Sequence, residues 1–149
     1  MEITLYHLVS LAIILIFSII LSIQDIKQMS VSLYILIGAI LAALICQLIF
    51  APSDMWIYLI SSLILGSLYF ITRKITKNRL GSADIWFGFF QGLFLFPKVI
   101  PICMGAEVIL AFCFVNKKIG KKAFPFIPFM SFGLIITFVL QFFIYDKKL

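Results

Sequence analysis

The sequence predicts an all-α, polytopic membrane protein, and three observations carry that prediction. Apolar residues make up 64% of the 149 residues, against roughly half in soluble domains. Charged residues amount to 12% and mean hydropathy is +1.20. The apolar residues also fall into long runs separated by short polar stretches, and a helix needs about 20 of them to cross a bilayer. The chain therefore has room for about six transmembrane helices and short loops, so residues 1–149 are expected to form one transmembrane domain with no separate soluble one.

The first span, residues 3–23, is almost uninterrupted, and its Ser10 and Ser18 hydroxyls are expected to bond carbonyls of their own helix. It is too long for a signal-peptide core and lacks a basic start and a small-residue cleavage site, so it is kept as a mature span. It ends at Gln24, Asp25, Ile26, Lys27 and Gln28. The second span, 31–50, follows a short polar turn and closes at Ala51-Pro52-Ser53-Asp54, a breaker. The third, 55–71, begins with the interfacial aromatics Trp56 and Tyr58 and ends in a loop holding Arg73, Lys74, Lys77 and Arg79, as expected of a helix running from outside to inside. The fourth, 83–96, and fifth, 100–115, flank Pro97 and Pro101. At 1.5 Å per residue each falls short of a bilayer core of about 30 Å, so neighbours must shield them or the flanking loops must dip in. The sixth, 126–145, follows a loop with Lys117, Lys118, Lys121 and Lys122.

The net charge of +6 does not point to nucleic acid, because the cations cluster beside apolar runs in the positive-inside manner. The expected partner is the lipid bilayer. Lys27, Arg73, Lys74, Lys77, Arg79, Lys117, Lys118, Lys121 and Lys122, nine of the 12 cations, fall in three alternate loops, and Lys98, Lys147 and Lys148 fall on the other side. That bias predicts a cytoplasmic membrane protein with both termini outside and the three basic loops in the cytoplasm. Asp25 then leaves the first span at the cytoplasmic interface, and Asp84 opens the fourth from the same side.

Cys46, Cys103 and Cys113 are scattered through apolar runs without a CxxC pair, which reads as small core residues and suggests no metal site or disulfide framework. No cofactor is expected. His7 lies near the outer end of the first span, remote from both aspartates, so Ser-His and zinc mechanisms lack parts.

Asp84 follows Gly81, Ser82 and Ala83 at a helix mouth. Gly88 and Gly92 succeed it at i+4 and i+8, giving it a small-residue face that allows close helix approach. Ser18 and Ser22 give Asp25 a similar face. Taken singly, either acid reads equally well as an interfacial residue, with Asp84 capping its helix. Together they read as a dyad: two carboxylates held close share a proton, leaving one as general base for water and the other as general acid for a leaving group. Glu107, about two turns into the fifth span with Cys103 and Ala111 on its face, is a second candidate, as a proton or ion site or a polar anchor bonding a neighbouring helix. Asp54 and Asp146 read as solvated loop residues.

These residues resemble the type IV prepilin peptidases and their archaeal preflagellin relatives, membrane aspartyl proteases that cut leaders from pilin-like precursors at the cytoplasmic face. Gly81-Ser82-Ala83-Asp84 is similar to the family's GxGD motif, and Asp25-Ile26-Lys27 to its other catalytic aspartate and basic follow-up. Phe124-Pro125-Phe126-Ile127-Pro128-Phe129 is similar to the start of its last helix. Ala83 replaces a motif glycine and does not tolerate the positive φ that glycine permits. Met29-Ser30-Val31-Ser32 stands where the family has proline-asparagine, and no paired CxxC motifs precede the first span. The resemblance implies a cleavage-only peptidase with Asp25 and Asp84 catalytic and prepilin-like precursors as partners; pilin, competence and secretion leaders are not distinguished, and the oligomeric state stays open. A small proton or cation transporter using Glu107 and a non-catalytic assembly subunit are the alternatives.

Overall fold

The computed structural model describes residues 4–78, 80–115 and 125–146. These form α1 (Leu5–Gln28), α2 (Leu33–Phe50), α3 (Met55–Ile75), α4 (Ser82–Gly92), α5 (Ile100–Val115) and α6 (Ile127–Asp146), with a 3₁₀ turn at Pro97–Val99 leading into α5. The chain is thus an all-α, polytopic membrane protein. α1, α2, α3 and α6 are long and apolar enough to cross a bilayer, whereas α4 has 11 residues and α5 has 16. The loop holding Lys117, Lys118, Lys121 and Lys122 lies outside the described residues, as do Arg79, Phe124, Lys147 and Lys148.

Two helices run past their apolar stretches. α1 continues through Asp25 to Gln28, since Gln24, Lys27 and Gln28 are good helix formers, and stops where Met29 turns left-handed at φ 52°. Asp25 therefore sits in the last turn of a helix, not in a loop. α3 continues to Ile75, so that Arg73 and Lys74 occupy its final turn, where cations suit the negative end of the helix dipole. The chain then reverses through Lys77 and Asn78, both at positive φ.

α4 is shorter than expected. It ends at Gly92, and residues 93–96 unwind while Leu93, Phe94 and Leu95 stay buried. Backbone groups released inside a membrane protein must be satisfied by neighbours. Gln47 of α2 donates its Nε2 to the Leu93 carbonyl at 2.6 Å. Gln141 of α6 accepts from the Phe96 N–H at 2.7 Å and donates to the Phe94 carbonyl at 3.2 Å. Ser62 of α3 donates to the Phe89 carbonyl at 2.7 Å. Neighbouring helices thus shield the segment that follows the short fourth helix. Replacing Gln141 by Leu strands one donor and one acceptor, an expected loss of about 2 kcal/mol. Thermal unfolding in micelles should accordingly fall by about 4–8 °C.

α4 packs along α3 and also meets α2 and α6, while α1 pairs with α2 and α6 and α5 pairs with α6. Phe87, Phe90 and Phe94 fill the centre. The seam with α3 is close because glycines line it: a Cβ at Gly88 would stand 2.3 Å from the Tyr69 ring, and one at Gly92 would stand 2.2 Å from Ser62 Cα.

Several polar side chains depart from expectation, meeting other segments or bonding to nothing among the described residues instead of bonding their own backbone or reaching the interface. Ser10 faces Cys46 Sγ at 3.6 Å, and Ser18 Oγ is buried without a hydrogen-bond partner among the described residues. Tyr58 is buried and stacks on Phe96 with ring centroids 5.0 Å apart, whereas Trp56 is exposed. Cys46 and Cys103 are core residues as expected, but Cys113 is exposed on α5.

Candidate active site

Both aspartates lie in end turns of helices. Asp25 belongs to the last turn of α1, and its Oδ2 accepts the N–H of Ile127, the first residue of α6, at 3.1 Å. Asp84 lies in the first turn of α4, and its Oδ2 accepts the Gly81 N–H at 2.8 Å. Each carboxylate is thus anchored at a helix N-terminus, where free N–H groups and the dipole favour an anion. Neither Oδ1 takes a bond among the described residues. The two aspartates lie within electrostatic reach of each other, and Asp84 is also within reach of Arg73.

Local sequence explains this placement. Ser22 and Ser131 meet at 3.2 Å across α1 and α6, so small residues draw the last turns of α1 onto the start of α6. Ser131 in turn donates to the Ile127 carbonyl, bracing the residue that holds Asp25. On α4, Gly81 takes φ −67° as an extended N-cap and Ala83 lies within the helix. No positive φ is required at either position, so the methyl group of Ala83 fits ordinary helical geometry. Ser82 is exposed and Ala83 half-buried.

Asp84 is 6% exposed and Asp25 9%, so each keeps an edge toward the outside of the fold. Glu107 is 1% exposed and within electrostatic reach of Asp84, but its hydrogen bonds go elsewhere. It is bound by Tyr69 of α3, by Gln91 of α4 at 2.7 Å and by Cys103 of α5 at 3.2 Å. The face shared with Cys103 was legible from sequence, whereas Tyr69 and Gln91 were not, because nothing local marks two uncharged residues on other helices as partners of an acid. His7 contacts Thr4, Tyr6, Phe138 and Phe142 at the opposite end of α1 from Asp25. Among the described residues no three His, Cys, Asp or Glu side chains gather where a metal could sit.

A family model described as the type IV leader peptidase family matches residues 12–116. The chain belongs to the type IV leader peptidase family. The leader peptidase match includes Asp25, Gly81, Asp84 and Glu107 and ends before α6, so Ile127, which holds Asp25, lies beyond it. No curated protein and no solved structure matches the chain.

Proposed function

We propose that this leader peptidase is a membrane-embedded aspartyl endopeptidase in which Asp25 and Asp84 form the catalytic dyad. The observations that support the reading are two carboxylates at helix ends, each with Oδ2 tied to a backbone N–H, with Asp84 within electrostatic reach of Asp25. The fixed oxygen sets the carboxylate plane, and Oδ1 is left for water or the scissile amide. One aspartate takes a proton from the attacking water and the other protonates the leaving amine, with a single proton shared between them. Gly81 and Ser82 set the turn that presents Asp84, and Gly88 and Gly92 seat its helix.

The substrate is a type IV prepilin-like precursor. Its basic leader lies in the cytoplasm, and its apolar helix docks sideways from the bilayer. Lys27, Arg73 and Lys74 flank the aspartates in sequence and support a cytoplasmic position for the dyad, with both termini outside. Cleavage alone is proposed, without methylation of the new terminus. Purified protein in micelles, incubated with precursors carrying basic leaders that end in glycine, should release the leader after that glycine. Mass spectrometry should find the mature product with an unmethylated amino terminus. A precursor that is bound but never cut would instead favour a non-catalytic assembly subunit.

A further inference from the structure

Glu107 is the most buried acid in the described part of the chain, and the dyad does not use it. Its hydrogen-bond partners come from three helices. Tyr69 of α3 donates to Oε2, while Gln91 of α4 and Cys103 of α5 donate to Oε1. Gln91 Nε2 is shared with the Met130 carbonyl of α6 at 2.8 Å, so the cluster ties α3, α4, α5 and α6 at one level. Gly133 of α6 leaves room for it, since a Cβ there would stand 2.4 Å from Glu107 Cγ.

The cluster reaches Asp84 through one helix face. Asp84, Gly88 and Gln91 stand at i, i+4 and i+7 and so share a stripe of α4. Gln91 on that stripe is held by Glu107, and Gly88 on it is covered by the Tyr69 ring, whose hydroxyl Glu107 also holds. α4 is short, with 11 residues, and ends in an unwound turn. Its rotation therefore depends on what grips this stripe, alongside the bonds from Ser62, Gln47 and Gln141 that hold its C-terminal end.

We propose that Glu107 is a positioning residue that, through Tyr69 and Gln91, locks the rotation of α4 and so aims Asp84 at Asp25. The link to catalysis rests on the peptidase reading above, whereas the link to α4 does not. Three donors converge on the carboxylate, and glutamine can keep that arrangement, with its carbonyl oxygen facing Gln91 and Cys103 and its amide donating to a Tyr69 hydroxyl that turns to accept. Alanine cannot.

The test pairs cleavage kinetics with amide hydrogen exchange of residues 84–92 in micelles, for wild type, Glu107→Ala, Glu107→Gln and Tyr69→Phe. Small misplacement of a catalytic group is enough to lower kcat by about tenfold or more in Glu107→Ala. KM should change less than about twofold, because Glu107 is buried and offers the substrate no surface to contact. Exchange in α4 should rise in Glu107→Ala and Tyr69→Phe, and Glu107→Gln should restore both readouts to near wild type. Wild-type exchange in α4 of Glu107→Ala would overturn the proposal. So would a Glu107→Gln variant as inactive as Glu107→Ala with α4 still protected, which would assign Glu107 a role through its charge. If Glu107→Ala unfolds throughout, Tyr69→Phe decides by the same two readouts. Wild-type protein that cuts no precursor while its variants follow the exchange pattern would remove the peptidase reading and leave the positioning of α4 standing.

Discussion

Asp84→Asn and Asp25→Asn are each expected to abolish precursor cleavage, a fall of at least about 10³-fold in kcat, without loss of folded protein. The magnitude follows from what the dyad supplies. General acid and general base each contribute about 10²–10⁴-fold, and an amide side chain can neither take a proton from water nor give one to the leaving amine. The preserved fold follows from the geometry: asparagine retains a carbonyl oxygen that can accept the Gly81 N–H at residue 84 or the Ile127 N–H at residue 25, so the turn before α4 and the start of α6 keep their anchors. An alanine at either position would remove the anchor as well and confuse two effects. The measurement is processing of a co-expressed precursor, with membrane levels of each variant compared by immunoblot. Full processing by either asparagine variant would rule out the paired-aspartate mechanism. Loss in both at equal protein level would also set aside the transporter alternative as an account of cleavage, because that reading gives the aspartates no bond to break.

The two aspartates were legible in the sequence because they needed only the order of spans and the charge of loops. Alternating direction and basic clusters predict Asp25 and Asp84 at one side, and in the structure each lies in an end turn of its helix. The atoms that hold them were less accessible. Gly81 is three residues from Asp84 and follows from helix capping, but Ile127 is 102 positions from Asp25, and no local pattern links them. The end of α4 is hidden from the sequence for a related reason. Leu93, Phe94, Leu95 and Phe96 extend an apolar run, and hydropathy reports burial without saying whether the backbone is helical. The clue lay elsewhere, in Gln47 and Gln141: long amides inside apolar helices need partners, and the unwound carbonyls and N–H of residues 93–96 are those partners. Glu107 was visible as an anomaly, but its tie to Tyr69 and Gln91 depends on three helices meeting, which spacing along one chain does not encode.

Gly92→Ala is expected to be the most destabilising single methyl group in the α3–α4 seam. At Gly92 an added Cβ would stand 2.2 Å from Ser62 Cα, 2.5 Å from Ser62 N and 2.7 Å from Ser61 C, all backbone of α3. The clashes at Gly88 and Gly66 are with the rings of Tyr69 and Phe89, and a ring can rotate where a helix backbone must translate. Overpacking that forces backbone movement reaches about 3 kcal/mol, and the shift also strains the Ser62 bond to the Phe89 carbonyl, so thermal unfolding in micelles should fall by about 6–12 °C. Gly38→Ala and Gly105→Ala are the controls, since nothing lies within 4 Å of either added Cβ; in those helices alanine should be neutral or stabilising by up to about 1 kcal/mol. Gly92→Ala unfolding at the same temperature as Gly105→Ala would mean that α4 does not press on α3 as closely as these distances require. If the loss occurs, cleavage should fall with it even at temperatures where the protein stays folded, because Asp84 rides on the same helix two turns away, and displacing α4 changes the position of the carboxylate relative to Asp25.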